Sequence, residues 1–463
     1  MKKQVFNPYL PMNEYVPDGE PHLFDGRVYI YGSHDKENGE KYCLLDYVCY
    51  SAPENDLTDW HYEGVIYRRI QDPHYDETQY LYAPDVCKGT DGRYYLYYVL
   101  SGEFEVAVAV CNTPCGEFQY LGRVCCEDGS IFRKNAPFDP AVLCEDGEVW
   151  LYYGFVPPFP MHRKLPENLP GATVVRLGND MITVKSVPEV ILPGKKNAAG
   201  TEFEGHAFFE ACSIRKINGL YILIYASELS HELCYAYSQY PDREFHYGGT
   251  VISNADIGYR GRTREKANGC VSNNHGGLVN AAGQWYVFYH RHTHGTQFSR
   301  QGCAEPVEIG ADGRIAQVEI TSCGLNGGPL RGEGAYSAAI ACNLYGTERG
   351  VTIPYMGRLE NQPYIAGEKG EYRITHFGNS AVAGFKYFEF DGMDRISVTL
   401  RGCGGTLRVS DGECEIAEIT LNACEEFTPC TAVCAPMHGI KPIYLTYCGD
   451  GEIEISSIAF SKT

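Results

Sequence analysis

The stretch “APDVCKGTDGRYYLYY”, residues 83–98, places an acidic residue, Asp85, seven positions before Gly92 of an Asp-Gly turn, with an alternating, tyrosine-rich run after it. The pattern recurs. “DGRVYIYGS” at Gly26, “DGRYYLYYV” at Gly92, “DGEVWLYYG” at Gly147, “NGLYILIYA” at Gly219 and “AGQWYVFYH” at Gly283 all set a turn glycine before β-branched and aromatic residues. Asp-Gly and Asn-Gly are strong hairpin signals, because both turn positions must tolerate positive φ. The runs that follow are strand chemistry. Successive glycines lie 66, 55, 72 and 64 residues apart, a spacing that suits a four-stranded sheet with its loops, repeated five times around an axis. The expectation is an all-β chain that opens with a five-bladed β-propeller. A two-sheet sandwich, the competing arrangement, does not need five equivalent hairpins.

Composition narrows the partners. The chain has 463 residues, 44% of them hydrophobic, enough for one large domain and a smaller one. A net charge of −20, with no Lys/Arg-rich run, argues against nucleic acid and anionic membranes. Thirty-six tyrosines on an acidic chain suit a neutral, hydroxyl-rich ligand. The start, “MKKQVFNPYLPMNEYVPDGE”, has no apolar core behind its lysines, so no signal peptide is predicted and a cytoplasmic location is expected. The 20 cysteines contain no CxxC pair and read as reduced thiols.

Upstream of each turn stands a polar residue. Asp18, Asp139 and His275 lie eight residues before their turn glycines, Asp85 seven and Glu210 nine. If the segments are equivalent, the five side chains converge at one mouth of the central channel. Like charges gathered there push pKa values apart. Two carboxylates with different pKa values are the minimum for glycoside hydrolysis, standing roughly 6.5–9.5 Å apart in inverting enzymes.

Residues 7–322 resemble glycoside hydrolase family 43, which groups five-bladed propellers acting as β-xylosidases, α-L-arabinofuranosidases, arabinanases and relatives. “DGEPHLFDGRVYIYGSHD” is similar to the family's first-blade segment, “FDPAVLCEDGEVWLYYG” to its third-blade Asp-Pro segment, and “FEACSIRKINGLYILIYA” to the segment bearing its acid. The resemblance implies Asp18 as general base, Asp139 as the residue that tunes and orients the acid, and Glu210 as general acid. Two departures stand out: Gly19 follows Asp18 where the family usually has proline, and Ala211-Cys212 follows Glu210 where it often has Gly-Pro. Glu20-Pro21 is therefore a rival base segment, and Glu204 a rival acid.

By the same resemblance Arg300 contacts the sugar and Asp85 in “YAPDV” supports substrate binding or structure; His34 and Asp35, which follow the first hairpin, are further candidates for lining the pocket. His275 is implied to hold a structural calcium or sodium ion, or a water, in the channel. No cofactor is expected for the chemistry itself. The implied activity is inverting, exo-acting removal of xylose or arabinofuranose from plant-derived oligosaccharides. Arabinanase or galactosidase specificity and a non-catalytic sugar-binding propeller are the alternatives. Specificity is expected to depend on the loops 157–171 and 254–269.

The Gly/Pro-rich “CGLNGGPLRGEGAY”, residues 323–336, reads as a boundary, with the propeller over 1–325 and a second domain over 335–463. Short alternating runs then predict a jelly-roll-like β-sandwich. Its closing “GIKPIYLTYCGDGEIEISSIAF” resembles family 6 carbohydrate-binding modules, although all three tryptophans lie in the propeller.

Overall fold

Four of the five turns adopt the backbone that their residues favour: Asp25-Gly26, Asp146-Gly147, Asn218-Gly219 and Ala282-Gly283 all have positive φ at both positions. Such two-residue turns match the twist of the strands they join. The computed structural model describes residues 3–158, 165, 169–368 and 370–463. Its first sheet is β1 (Glu20–Phe24), β2 (Arg27–Tyr31), β3 (Tyr47–Pro53) and β4 (His61–Tyr67). The second is β5 (Asp85–Lys88), β6 (Tyr94–Val99), β7 (Val106–Cys111) and β8 (Gln119–Arg123). The third is β9 (Ala141–Glu145), β10 (Glu148–Tyr153), β11 (Gly171–Leu177) and β12 (Glu189–Pro193). The fourth is β13 (Phe208–Ile217), β14 (Leu220–Ser227), β15 (Glu232–Ser238) and β16 (His246–Ser253), and the fifth β17 (Leu278–Ala281), β18 (Gln284–His292) and β19 (Arg300–Val307). Each is an antiparallel meander in chain order. The first strand of each is innermost: β1 lies beside β5 and β17, and β9 beside β5 and β13. The Arg215 Nε donates to Leu278 O at 2.9 Å and joins β13 to β17. This is a five-bladed propeller.

The fifth blade departs from the four strands expected of each repeat. It has three, and the N-terminal segment takes the outer place. Tyr9 N donates to Gly302 O, while the Asn7 side chain both donates to Ala304 O and accepts from Ala304 N, each at 3.0 Å. Pro8, between Asn7 and Tyr9, and Pro11 beyond them have no N–H to offer a ladder, so a side chain supplies the pairing. The first and last parts of the propeller are thereby clasped together.

The second unit begins slightly before residue 335, with β20 (Leu330–Arg331) and β21 (Gly334–Ser337), followed by β22 (Asn343–Tyr345), β23 (Tyr364–Glu368) and β24 (Glu371–Gly378). It continues with β25 (Val382–Gly402), β26 (Gly405–Ser410), β27 (Glu415–Leu421), β28 (Cys424–Cys448) and β29 (Glu452–Ser461). Register shifts along β25 and β28 let these long strands bend around the buried core of Ile374, Phe385, Phe388, Ile396, Leu445 and Ile458, giving the β-sandwich. Helices among the described residues are three-residue 3-10 turns, and none is long and apolar enough to cross a membrane. All 20 cysteines are free thiols, and only Cys414 is exposed.

One buried cation joins the units. Lys386 of β25 is fully buried, with its Nζ 3.0 Å from Glu319 and 3.4 Å from Asp256 of the propeller. Asp256 also accepts from Ile320 N and Asn268 Nδ2, both at 2.8 Å. Removing one partner of a buried pair strands the other charge. Lys386→Met should therefore cost about 3 kcal/mol of unfolding free energy in urea titrations, with the propeller and sandwich signals both moving to lower urea.

Candidate active site

Strand register decides which side chains share the mouth of the channel. Glu20 pairs with Tyr31, Ala141 with Tyr152 and Ser213 with Ile224, each partner five residues after its turn glycine. Gly277 takes the same place opposite Phe288, whose N–H it accepts at 2.8 Å. Asp85 pairs with Tyr97, again five after Gly92. Asp85 is thus the counterpart of Glu20, not of Asp18. The mouth level, one step outward, holds Asp18, Ala83, Asp139, Glu210 and His275. The structure therefore brings together four of the five expected residues and sets Asp85 one level deeper. The cause is the second blade's turn, which spans residues 89–93, with Gly89 N donating to Arg93 O, and shifts the count from its glycine.

At the mouth, Asp18 and Asp139 precede β1 and β9 in left-handed conformations, φ 57° and 46°. Ala211, next to Glu210, has φ 68° at a bulge in β13. Aspartate tolerates this region better than alanine, and residues held there mark sites where geometry is over-determined. The bulge aims Ala211 N at Asp139 Oδ2, 3.1 Å away, and so ties Asp139 to the residue beside Glu210. A glycine, which the resemblance led one to expect at 211, would adopt that φ freely.

Asp18 is buried and held by a cation. The Arg300 Nη1 donates to its Oδ1 and Oδ2 at 2.8 and 3.0 Å, while Nε and Nη2 of the same guanidinium grip both oxygens of Asp35 at 2.9 and 3.0 Å. His290 Nδ1 stands 3.2 Å from Asp18 Oδ1 and 3.3 Å from Asp18 N, and His290 Nε2 lies 3.1 Å from Asn273 O. Burial raises the Asp18 pKa, but Arg300 and then His290 outweigh it and leave the carboxyl well below its ordinary value. Asp139 goes the other way: burial, then the charges of Glu210 and Asp18, push it well above. Asp139 and Glu210 act on each other, so their titration is a property of the pair rather than of either acid. The mouth thus sets a carboxylate whose proton affinity a cation lowers against one whose affinity burial and neighbouring carboxylates raise.

The remaining candidates fall into place by their contacts. Asp85 accepts from Val142 N and Val86 N at 2.6 Å each and meets His22 Nε2 at 2.6 Å. Glu20, the rival base, lies beside it in the lower ring, bound by Ser213 Oγ at 2.8 Å and Arg215 Nη2 at 2.7 Å. Gly277 closes this ring, where a Cβ would stand 2.4 Å from Ser213 Oγ. Glu204, the rival acid, is exposed and accepts from Gly200 N. His34 directs its ring nitrogens to Asp46 O (2.8 Å) and Glu14 (3.6 Å), while its neighbour Asp35 meets Arg300. Residues 159–164 and 166–168 of the expected specificity loop lie outside the described residues. The sequence reading missed His290, Tyr42 and Arg215, whose relevance depends on what they pack against.

His275 is buried, which lowers its pKa to about 4 and keeps the ring neutral. Its Nδ1 is 3.6 Å from Asp139 Oδ2. Calcium takes six to eight oxygen ligands, and no cluster of three ligand groups among the described residues includes His275. These side chains alone do not fit a calcium shell. The acidic cluster of Glu20, His22 and Asp85 already faces a fixed cation, Arg215.

Comparison with known proteins agrees with this architecture. The sequence model of glycosyl hydrolases family 43 matches residues 17–315. A protein of Thermoclostridium stercorarium named xylosidase/arabinosidase is 46% identical over 474 residues, covering 99% of each chain. A β-xylosidase/α-arabinofuranosidase from a compost microbial metagenome, solved in complex with xylotriose, is 25% identical with a TM-score of 0.53 over 66% of this chain and 96% of its own. An arabinoxylan arabinofuranohydrolase of Bacillus subtilis shares the fold over 98% of this chain and 97% of its own, with 18% identity and a TM-score of 0.51.

Arg300→Met would leave Asp18 and Asp35 buried without their cation, at an expected cost of about 3–5 kcal/mol in unfolding free energy. The depressed Asp18 pKa contributes stability that is present above the unfolded pKa and lost as pH falls through the folded one. The gap between wild type and variant should therefore be full at neutral pH and narrow below about pH 4, as urea titrations across pH will register.

Proposed function

The chain belongs to glycosyl hydrolases family 43, and on that premise we propose that it is an inverting, exo-acting glycosidase releasing xylose or arabinofuranose from short plant-derived oligosaccharides. One observation carries the reading: Asp18, gripped through both oxygens by the Arg300 guanidinium, stands at the same mouth as Asp139 and Glu210, and Asp18 and Asp139 are pushed to opposite proton affinities. Binding alone needs no such contrast, whereas glycoside hydrolysis needs both members. The names of the relatives support the choice of pentose.

In this mechanism Asp18 takes a proton from a water molecule, whose oxygen attacks the anomeric carbon from the face opposite the leaving group. Glu210 gives its proton to the glycosidic oxygen as the C–O bond breaks, so the sugar leaves with inverted configuration. Asp139, held by Ala211 N, sits beside Glu210 and raises its proton affinity until transfer. Arg300 fixes the base and is the residue to which the family resemblance assigns the sugar contact. All of these steps use carboxyls, a guanidinium and water.

Asp18→Asn should lower kcat by at least about a thousandfold on all substrates, as loss of the group that activates water predicts. Glu210→Gln should cost as much on xylobiose and far less on aryl glycosides, whose leaving groups need little protonation. Equal turnover in wild type and both variants would overturn the assignment. The pH profile of kcat/KM tests Asp139 separately. Removing its charge lowers the Glu210 pKa, and the acid is competent only while protonated. Asp139→Asn should accordingly move the alkaline limb to lower pH, by about one unit or more.

A further inference from the structure

Sugar-binding surfaces stack exposed aromatic rings on the C–H faces of the sugar. Beyond residue 330 the described residues include a single exposed Phe, Tyr or Trp ring, Tyr355, and it is not on a face of the sandwich. It belongs to residues 346–363, an excursion between β22 and β23 that leaves the sandwich and crosses the propeller. The excursion is fixed by its backbone. Val271 N donates to Val351 O at 2.9 Å, Ile353 N to Val271 O at 3.0 Å and Leu359 N to Gly295 O at 3.0 Å. Arg349 and Arg264, the latter in the expected specificity loop, add side-chain bonds to the carbonyls of Ala267 and Gly350.

What this places beside the mouth is an aromatic cluster. The Tyr355 ring lies 6.3 Å from that of Tyr42 and 6.2 Å from that of Phe298, which are 4.9 Å apart. The Tyr42 ring lies under the Arg300 guanidinium at 4.6 Å, and Arg300 holds Asp18. Tyr42 Oη donates to Gln297 Oε1 at 2.5 Å, and Gln297 Nε2 donates to Ile353 O at 2.8 Å, which locks the cluster to the excursion. Burial, above all, keeps the Tyr42 phenol well above its ordinary pKa, and the charges of both Arg300 and Glu210 act on it. The cluster therefore packs against Arg300, the anchor of the base.

We propose that Tyr355 forms an aromatic wall for the sugar ring on the leaving-group side of the scissile bond, so that the second domain completes the substrate site. The inference rests on the proposed exo-acting hydrolysis. An exo-acting pocket encloses the sugar that it releases, and Asp18, Asp139 and Arg300 are each 5% exposed or less. Tyr355 is 66% exposed and its neighbour Met356 69%. An exposed ring at the rim is open only to the sugar that remains outside, a xylopyranose of the chain being trimmed.

The test compares xylobiose and an α-L-arabinofuranosyl-xylose with the matching glycosyl fluorides, whose leaving group has no ring to stack. Tyr355→Ala should lower kcat/KM on the disaccharides about tenfold, chiefly through KM, and leave the fluorides within twofold. Tyr355→Phe should restore the disaccharide values. Unchanged disaccharide kinetics in Tyr355→Ala, or an equal loss on fluoride and disaccharide, would overturn the proposal, the latter marking a merely structural ring. Wild-type protein inactive on every substrate would instead overturn the hydrolytic reading, and this one with it.

Discussion

Everything at the mouth depends on one guanidinium. Arg300 opens the last strand of the last blade, and both carboxylates that it holds, Asp18 and Asp35, flank the first two strands of the first blade. The contact lies at the seam where the propeller ring closes, close to where Asn7 and Tyr9 clasp β19. A buried cation with two carboxylates is costly to desolvate and tolerable only when its donors are well matched. Four of its hydrogen bonds to oxygen meet that condition, at 2.8–3.0 Å. The same bonds that seal the ring fix the ionisation of Asp18. Stability and chemistry are coupled here because they use the same atoms.

The channel solves its charge problem in two layers. In the upper layer Arg300 neutralises the side of Asp18, while burial and the charges of Glu210 and Asp18 raise the proton affinity of Asp139. In the lower layer Arg215 reaches in from β13, bonding Glu20, Pro21 O and Leu278 O, so that Glu20, Asp85 and Ser213 surround a fixed positive charge. Burial pushes Glu20 up to about 7, with Arg215 and Ser213 opposing and Asp85 adding to the rise. His22 stays neutral, its pKa lowered by burial and by Arg215.

The five blades were legible because turn glycines and alternating strands are local signals, written in consecutive residues. The mouth was legible in part. Counting back from the glycine located Asp18, Asp139, Glu210 and His275, because their hairpins are of the two-residue kind. It failed for Asp85, because residues 89–93 form a longer turn, and strand pairing, unlike distance from a glycine, sets the level of a side chain. His290 gave no signal at all: its role comes from facing Asp18 across blades 272 residues apart in sequence. The fifth blade's missing strand was equally hidden, since Asn7 replaces ladder bonds with side-chain ones. Tyr355 lay beyond reach for the same reason. Its surroundings are made by a crossing between domains, and nothing within residues 346–363 announces where they dock.

That crossing changes what the second domain is for. A sandwich joined by a plain linker would be free to move relative to the propeller, as small polar interfaces allow. Here a buried lysine stands at the interface, and the backbone of residues 351–353 pairs with Val271. Buried charges forbid sliding, because any displacement strands Asp256 or Lys386; backbone pairing forbids rotation, because it fixes register. The excursion is consequently held as firmly as the loop 254–269 on which it lies. The wall at the rim is therefore built from two parts of the chain that only the assembled protein brings together. Sandwich residues that touch no sugar, Lys386 among them, then position the rim of the pocket through the excursion that they anchor.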